Sequence, residues 1–137
     1  MNATSILERV IGQEERSDAF RQGLASIGAY KLDRALNRGV TYYELFLAGV
    51  SVRLCNKTRR ATAVVAYAEG AAPGYGPYSG ALPHGLRFGE SREGVLALFA
   101  AQGGYVSSGG VLVPGPDYSL SAGFDGGGKL KSLSLYT

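Results

Sequence analysis

The chain is poor in the side chains that carry most enzyme and metal chemistry. It has one cysteine (Cys55), one histidine (His84) and no tryptophan among 137 residues. A single cysteine excludes an internal disulfide, and the lack of a Cys/His cluster excludes an ordinary structural zinc site. No apolar run reaches the length of a membrane span, and Glu8, Arg9 and Glu14 interrupt any signal-peptide core. We therefore expect a cytoplasmic protein with no membrane partner.

Neither of these scarce side chains lies in a catalytic motif. His84 has no nucleophile or carboxylate motif beside it that would pair with a general base. Cys55 ends a predicted strand and is expected to act as a small buried hydrophobic residue. The glycines in 74–76 lack the preceding strand and following helix of a dinucleotide site. The sequence thus predicts no catalytic residue, no cofactor and no metal, in a protein that is not an enzyme.

The composition is that of a globular domain, with 45% apolar and 18% charged residues. The net charge is +3 and the pI is about 9.1. Basic residues cluster only at Lys57, Arg59 and Arg60 and at Lys129 and Lys131. Nucleic-acid binding usually needs a concentrated basic stripe, so this dispersed surplus does not favour it.

Capping residues and amphipathic runs predict three helices. Each begins at a serine that can accept backbone N–H groups, and each is followed by a glycine that can end it. Ser5 and Glu8 form a capping-box pattern. The caps are Ser5, Ser17 and Ser91, and the terminating glycines are Gly12, Gly28 and Gly103.

Alternation of apolar and polar residues predicts two groups of strands. The first is a three-stranded meander over 41–47, 50–54 and 60–67. The second covers 111–113, 118–124 and 129–136. Leu86 and Phe88 also alternate, which suggests a short strand-like piece before the third helix.

Two segments of the chain resemble each other. Residues 60–67 and 129–136 both begin with a basic residue, alternate, and end in tyrosine, at an offset of 69 that also places Cys55 on Phe124. A duplication explains this pattern, and so does the general similarity of β-hairpins.

The fold class predicted from these patterns is α+β, in one domain over 1–137. It has pseudo-repeat halves at about 1–68 and 82–137, joined by a Gly/Pro/Tyr loop over 69–81. The two meanders would meet edge to edge in one antiparallel sheet, with the helices packed on one face and the other face open.

Nine tyrosines suggest a recognition surface, because Tyr and Arg are enriched at binding hot spots. Strands favour tyrosine in any case, which is the alternative explanation. The predicted partner-binding residues are Tyr42, Tyr67, Tyr75, Tyr78, Arg59, Arg60, Tyr118 and Tyr136.

Three motifs carry a resemblance to known proteins. They are VVAYAEG at 64–70, LPHGLRFGESREGV at 82–95 and FDGGGKLKSLSL at 124–135. The chain over about 40–137 resembles small bacterial proteins encoded beside secreted polymorphic toxins. Its helix–strand–turn–strand unit is also similar to the BamE/SmpA and β-lactamase-inhibitor-like group. Gly94 departs from the pattern, which prefers an acidic residue there.

The resemblance implies an immunity protein of bacterial competition, which binds and neutralises a cognate toxin without chemistry. The basic pI leads us to expect an acidic or neutral toxin surface. The alternative is a small-ligand or nucleic-acid binding module that uses the same open sheet face.

Overall fold

The computed structural model describes residues 5–35, 39–107, 110–115 and 117–137, with the backbone alone at 34–35, 105–107 and 110–111. The helices are α1 (Ile6–Val10), α2 (Asp18–Ile27) and α3 (Arg92–Ala100). The strands are β1 (Lys31–Ala35), β2 (Val40–Leu45), β3 (Val50–Cys55), β4 (Ala61–Tyr67), β5 (Tyr105–Ser107), β6 (Gly110–Val113), β7 (Ser119–Phe124) and β8 (Leu130–Tyr136). No described helix is long and apolar enough to cross a membrane.

All eight strands form one antiparallel sheet in the order β1-β2-β3-β4-β8-β7-β6-β5. The last strands of the two halves, β4 and β8, pair with each other at the centre of the sheet, with Val65 opposite Ser134. The first strand of each half therefore lies at an outer edge. This arrangement confirms the predicted α+β class, with two helix-plus-meander halves joined edge to edge.

The helices begin as the sequence predicts. At α1 the carboxylate of Glu8 accepts the Ser5 N–H at 3.2 Å, which completes the capping box. The hydroxyl oxygens of Ser17 and Ser91 accept amides three residues further on, at 3.2 and 3.1 Å. These bonds satisfy N–H groups that a helix leaves unpaired at its start.

The core lies between the helices and one face of the sheet. Leu7 and Val10 of α1, Phe20 of α2 and Phe99 of α3 are almost fully buried. They pack in one cluster with alternate residues of the strands. The buried apolar strand residues are Tyr43, Leu45, Val50, Val52, Leu54, Ala61, Val64, Ala66, Val113, Leu120, Ala122, Leu130, Leu133 and Leu135, and Thr41 is buried beside them.

In the first half, the chain between α1 and α2 is bonded to the start of β4. The Gly12 N–H donates to the Ala61 carbonyl and the Ala61 N–H donates to the Gln13 carbonyl, both at 2.9 Å. The Glu15 N–H donates to the Arg59 carbonyl at 2.8 Å. Gly12 and Arg59 have φ values of +76° and +60°.

The second half repeats this pattern before α3. The Gly89 N–H donates to the Leu130 carbonyl at 2.9 Å, and the Leu130 N–H donates to the Glu90 carbonyl at 2.8 Å. The Arg92 N–H donates to the Gly128 carbonyl at 2.9 Å. Gly89 and Gly128 again have positive φ values, +89° and +75°. The halves thus share a detailed backbone hydrogen-bond pattern, which hairpin similarity alone does not supply.

The hairpin turns of the two halves differ by one residue. The Cys55 N–H donates to the Arg60 carbonyl, and the Asp125 N–H donates to the Lys129 carbonyl, both at 2.9 Å. Cys55 therefore stands in the place of Asp125, and the predicted match to Phe124 was wrong by one position. The offset of 69 residues between the two halves therefore holds only for the residues after the turn.

Three local predictions were wrong. Within the described residues each half has four strands where three were predicted. The two that were missed are β1 (KLDRA), which has little apolar content, and β5, which has only three residues. Leu47 lies in the β2–β3 turn and is 89% exposed, so it is not part of a strand. The piece before α3 is a 3₁₀ turn at Pro83–Gly85 followed by irregular chain, although Leu86 is buried as predicted.

The loop 69–81 is docked on the sheet. The Gly76 N–H donates to the Phe46 carbonyl at 2.7 Å, and the Tyr78 N–H donates to the Tyr67 carbonyl at 2.9 Å. Gly49 makes this approach possible, because a Cβ there would overlap the backbone carbonyl oxygen of Gly76. The loop therefore has a fixed position beside the β2–β3 turn.

We predict that Gly49→Ala lowers the free energy of unfolding by about 2–4 kcal/mol, from the strained positive φ together with the backbone overlap. Gly70→Ala is the matched control, since its φ is +75° against +72° at Gly49 and its Cβ would meet nothing within 4 Å. It should cost only about 1 kcal/mol. Urea unfolding of both variants checks this, and equal losses would contradict the docking of the loop.

Candidate functional site

The sheet face opposite the helices is the candidate site. We call it the open face and define it by the strand residues that alternate with the core residues. Described side chains on it are only partly buried or exposed, whereas their neighbours in the core are buried. The open face consists of Lys31, Asp33, Tyr42, Glu44, Ser51, Arg53, Ala63, Val65, Tyr67, Leu112, Ser119, Ser121, Gly123, Ser132, Ser134 and Tyr136.

Strand register places these residues in rows that run across both halves. One row crosses the sheet from β2 to β7 and is made of Tyr42, Arg53, Ala63, Tyr136 and Ser119. Each member lies directly opposite the next, so the side chains are about 5 Å apart. The joined halves therefore present one continuous surface.

The next row is made of small side chains at its centre. Ser51 lies opposite Val65, Val65 opposite Ser134, and Ser134 opposite Ser121. Serine hydroxyls can both donate and accept hydrogen bonds, and they leave the backbone low and accessible. The middle of the open face consequently has small or medium-sized uncharged side chains, and Val65 is the apolar one among serines.

Two tyrosines stand on either side of this middle region, on the central strand pair. Tyr67 pairs with Ser132, and Tyr136 pairs with Ala63. Because each tyrosine ends its own strand and the strands are antiparallel, the backbones of the two residues lie at opposite ends, about 13 Å apart along the strand direction. Tyrosine supplies a large contact area with little rotamer entropy to lose, which suits recognition.

The loop 69–81 adds a third tyrosine to one end of the open face. The ring of Tyr75 lies 4.8 Å from that of Tyr67 and 4.7 Å from that of Phe46, measured between centroids. Burial raises the pKa of both Tyr67 and Tyr75 above the ordinary 10.0. These three rings form a compact aromatic group.

The structure places three of the predicted partner-binding residues on the open face, namely Tyr42, Tyr67 and Tyr136, and Tyr75 packs against Tyr67 at one end of it. It places Tyr78 in the core, with 8% of its surface exposed, and its hydroxyl lies 3.3 Å from the Ala81 carbonyl. Tyr78 was therefore wrongly assigned to an exposed surface.

Tyr118 and the two arginines also lie away from the open face. The Tyr118 hydroxyl donates to Glu8 at 2.6 Å, which ties β7 to α1. The Arg59 guanidinium pairs with the carboxylate of Glu15, and Arg60 donates to the Gly12 carbonyl at 2.9 Å. All three side chains hold the chain before α2 and β7 in place.

The sequence analysis did not identify the small polar centre of the open face. Its signal was present as alternating serines at 119 and 121 and at 132 and 134. Serine is common in loops, so its alternation with apolar residues does not by itself indicate a binding surface. The strand register shows that these serines lie side by side. Phe46 was likewise read as part of a strand and not as a partner of the loop.

His84 lies nearer to carboxylates than its sequence neighbours suggest. It lines a groove of about 380 Å³ with Glu8, Asp117 and Tyr118. Both oxygens of Glu8 already accept hydrogen bonds, from the Ser5 N–H and the Tyr118 hydroxyl. Across the described ranges, no group of three or more His, Cys, Asp or Glu residues could hold a metal ion.

Cys55 is not the buried hydrophobic residue that the sequence predicted. It is partly exposed at the end of β3. A hydrogen bond from the Thr58 backbone is the largest cause of a lowered pKa of its thiol, followed by the Thr58 side chain and the Lys57 backbone. Asp125 uses the equivalent position to accept the Gly127 and Lys129 amides, both at 2.9 Å.

Comparison with known proteins identifies no relative of this chain. No family model matches the chain, and no curated protein or solved structure matches it significantly. The resemblance to immunity proteins stays a prediction from the motifs.

Two tyrosines outside the open face, the buried Tyr43 and the partly buried Tyr118, lead us to expect a pH-dependent stability. Burial is the largest cause of a raised pKa at Tyr43 and Tyr118, and hydrogen bonds to Glu15 (2.5 Å) and Glu8 (2.6 Å) raise it further. A group whose pKa is higher in the folded state contributes stability below its unfolded pKa. That contribution disappears as the pH rises above 10.0 toward the folded value.

We therefore predict that the free energy of unfolding falls as the pH rises from 9 to 11, and that it falls less steeply in Tyr43→Phe/Tyr118→Phe. The measurement is urea unfolding across this range, extrapolated to water. Val64→Ala in the core is the control, because it lowers stability without removing an ionisable group, and it should keep the wild-type slope. Parallel curves for the wild type and the double variant would show that these two hydroxyls do not hold their protons more tightly when folded.

Proposed function

We propose that this protein is a non-catalytic immunity protein, which binds and neutralises a cognate bacterial toxin with the open face of its sheet. The observation that carries the proposal is the continuous open face together with its tyrosines. Among the described residues no helix covers it, and only the loop 69–81 reaches one end of it. Antiparallel sheets commonly leave one face to solvent, so the feature that favours binding is the placement of Tyr67, Tyr75 and Tyr136 on or beside this face.

The size of the open face supports a protein partner. Eight strands at their usual spacing and five or six residues of length give a face of about 700 Å². A standard protein–protein interface buries about 800 Å² on each partner. The open face with the Tyr75 loop therefore suffices for a specific complex without any rearrangement of the fold.

The shape of the open face suggests which kind of segment a partner would place against it. The centre is low where its side chains are Val65, Ser121 and Ser134, and Tyr67 and Tyr136 lie on either side of it along the strands. The backbones of the two tyrosines are about 13 Å apart, which is the scale of a helix or a loop of about 10 Å width. The toxin would present such a protruding segment.

The charge on the open face agrees better with a protein than with a nucleic acid. Regular alternation in β1 to β3 places Lys31 and Arg53 on it together with Asp33 and Glu44, two charges of each sign. A phosphate backbone needs a positive groove. A neutral or mildly acidic toxin surface therefore remains our expectation.

We predict that Ser134→Arg abolishes protection of a host cell that co-expresses the toxin encoded by the neighbouring gene. The added side chain fills the low centre of the open face and leaves the core untouched, so binding should weaken at least tenfold while stability changes by less than about 1 kcal/mol. Gln22→Arg is the control, because it adds the same charge at an exposed position of α2 on the other side of the molecule. Growth assays and titration calorimetry measure both effects. Full protection by Ser134→Arg would show that the toxin does not bind to the open face, which would contradict the proposal.

Salt dependence separates the immunity function from a nucleic-acid function. An interface centred on tyrosine and serine should lose less than tenfold in affinity between low and moderate salt. A nucleic-acid complex with six to ten phosphate contacts would lose about 10³–10⁵ over a similar range. Tight, salt-sensitive binding to single-stranded DNA or RNA would overturn the proposed function.

A further inference from the structure

Strand β1 forms one outer edge of the sheet. It pairs with β2 on its inner side, and the described residues provide no neighbour on its outer side. An unpaired strand edge carries a row of free N–H and C=O groups that can bind another strand. Lys31, Leu32 and Asp33 are all exposed there.

Two large apolar side chains are exposed on the side of this edge that faces the helices. Tyr30 is 51% exposed and Leu32 is 39% exposed, and with Leu47 they are the large hydrophobic side chains exposed in the described part of the chain. The Tyr30 ring packs against Tyr43 with centroids 5.0 Å apart. Beside it a groove of about 370 Å³ runs along α2, lined by Glu15, Phe20, Arg21, Leu24, Ala25, Tyr30 and Tyr43.

The side of the edge that belongs to the open face carries opposite charges around Leu32. Lys31 lies opposite Glu44 of β2, and Asp33 lies opposite Tyr42. When two copies of β1 pair antiparallel about Leu32, Lys31 of each copy stands opposite Asp33 of the other. Directly opposed charges of unlike sign stabilise an antiparallel pair, and like charges destabilise it.

We propose that β1 pairs with β1 of a second copy of this chain and forms a two-fold symmetric dimer with a continuous sheet. The symmetry brings the two Leu32 side chains together on the helix side, where they cover each other and the exposed Tyr30 rings. It also forms the Lys31–Asp33 contact twice. A contact that occurs twice on one self-complementary patch is typical of a two-fold interface.

The self-complementary charges favour a second copy over a foreign strand. An edge that carries charges of one sign repels a second copy, which is a common protection against edge-to-edge association. Here Lys31 and Asp33 carry opposite charges on either side of Leu32. Two copies of β1 that pair antiparallel therefore do not repel each other. Pairing at this edge leaves Tyr67, Ser134 and Tyr136 free, so the dimer does not depend on the proposed function.

The test is the mass in solution of the full chain, measured by sedimentation equilibrium from low micromolar to near millimolar concentration. The wild type should be a dimer over part of this range. Lys31→Asp and Asp33→Lys each place like charges opposite each other twice, and each should raise the dimer dissociation constant at least tenfold. The exchange variant Lys31→Asp/Asp33→Lys restores unlike pairs and should restore the dimer.

Circular dichroism of each variant shows whether it folds, and Gln22→Lys on exposed α2 controls for a change in net charge. A wild type that stays monomeric at every concentration overturns the proposal, including the case in which a different protein pairs with β1. A dimer that persists unchanged in both single variants also overturns it, because the contact would then lie on another surface.

Discussion

The pairing of β4 with β8 is the constraint on which the rest of the structure depends. Each of these strands closes its own half, and each has the same order of buried and half-buried residues along its length. Because they are antiparallel, their pairing relates the halves by an approximate two-fold axis near Val65 and Ser134. The helices of both halves must then lie on the same side of one sheet, which buries a shared core and leaves the opposite face without cover.

The open face follows from that pairing together with the choice of side chains. Core residues such as Leu133 and Leu135 alternate with Ser132 and Ser134, so the same strand stabilises the fold and presents a low polar surface. Serine at these positions contributes little to stability, and the tyrosines of the central pair, Tyr67 and Tyr136, are the last residues of their strands. The surface is thus built from residues that the core does not need, so the proposed function places no demand on the residues that stabilise the fold.

The sequence predicted the elements that strong local signals define. Helix caps at Ser5, Ser17 and Ser91 form one class of signal, and the long alternating strands β4 and β8 form another. The structure departs from the prediction where tertiary contacts decide: charged β1 is a strand because β2 lies beside it, and Tyr78 is buried because the docked loop carries it inward. The open face could be anticipated as a consequence of edge-to-edge halves. Its composition could not, since register alone determines that Ser51, Val65, Ser134 and Ser121 fall in one row.

The most direct measurement of the central claim compares neighbouring methyl groups on the two faces of the central strand. Val64 is fully buried against the helices, whereas Val65 lies on the open face at the two-fold position. A soluble paramagnetic gadolinium chelate added to methyl-labelled protein relaxes groups that solvent can reach. The account predicts strong relaxation of the Val65 methyls and little effect on those of Val64. Equal protection of both residues would contradict it, because the face on which the proposed function depends would then be covered.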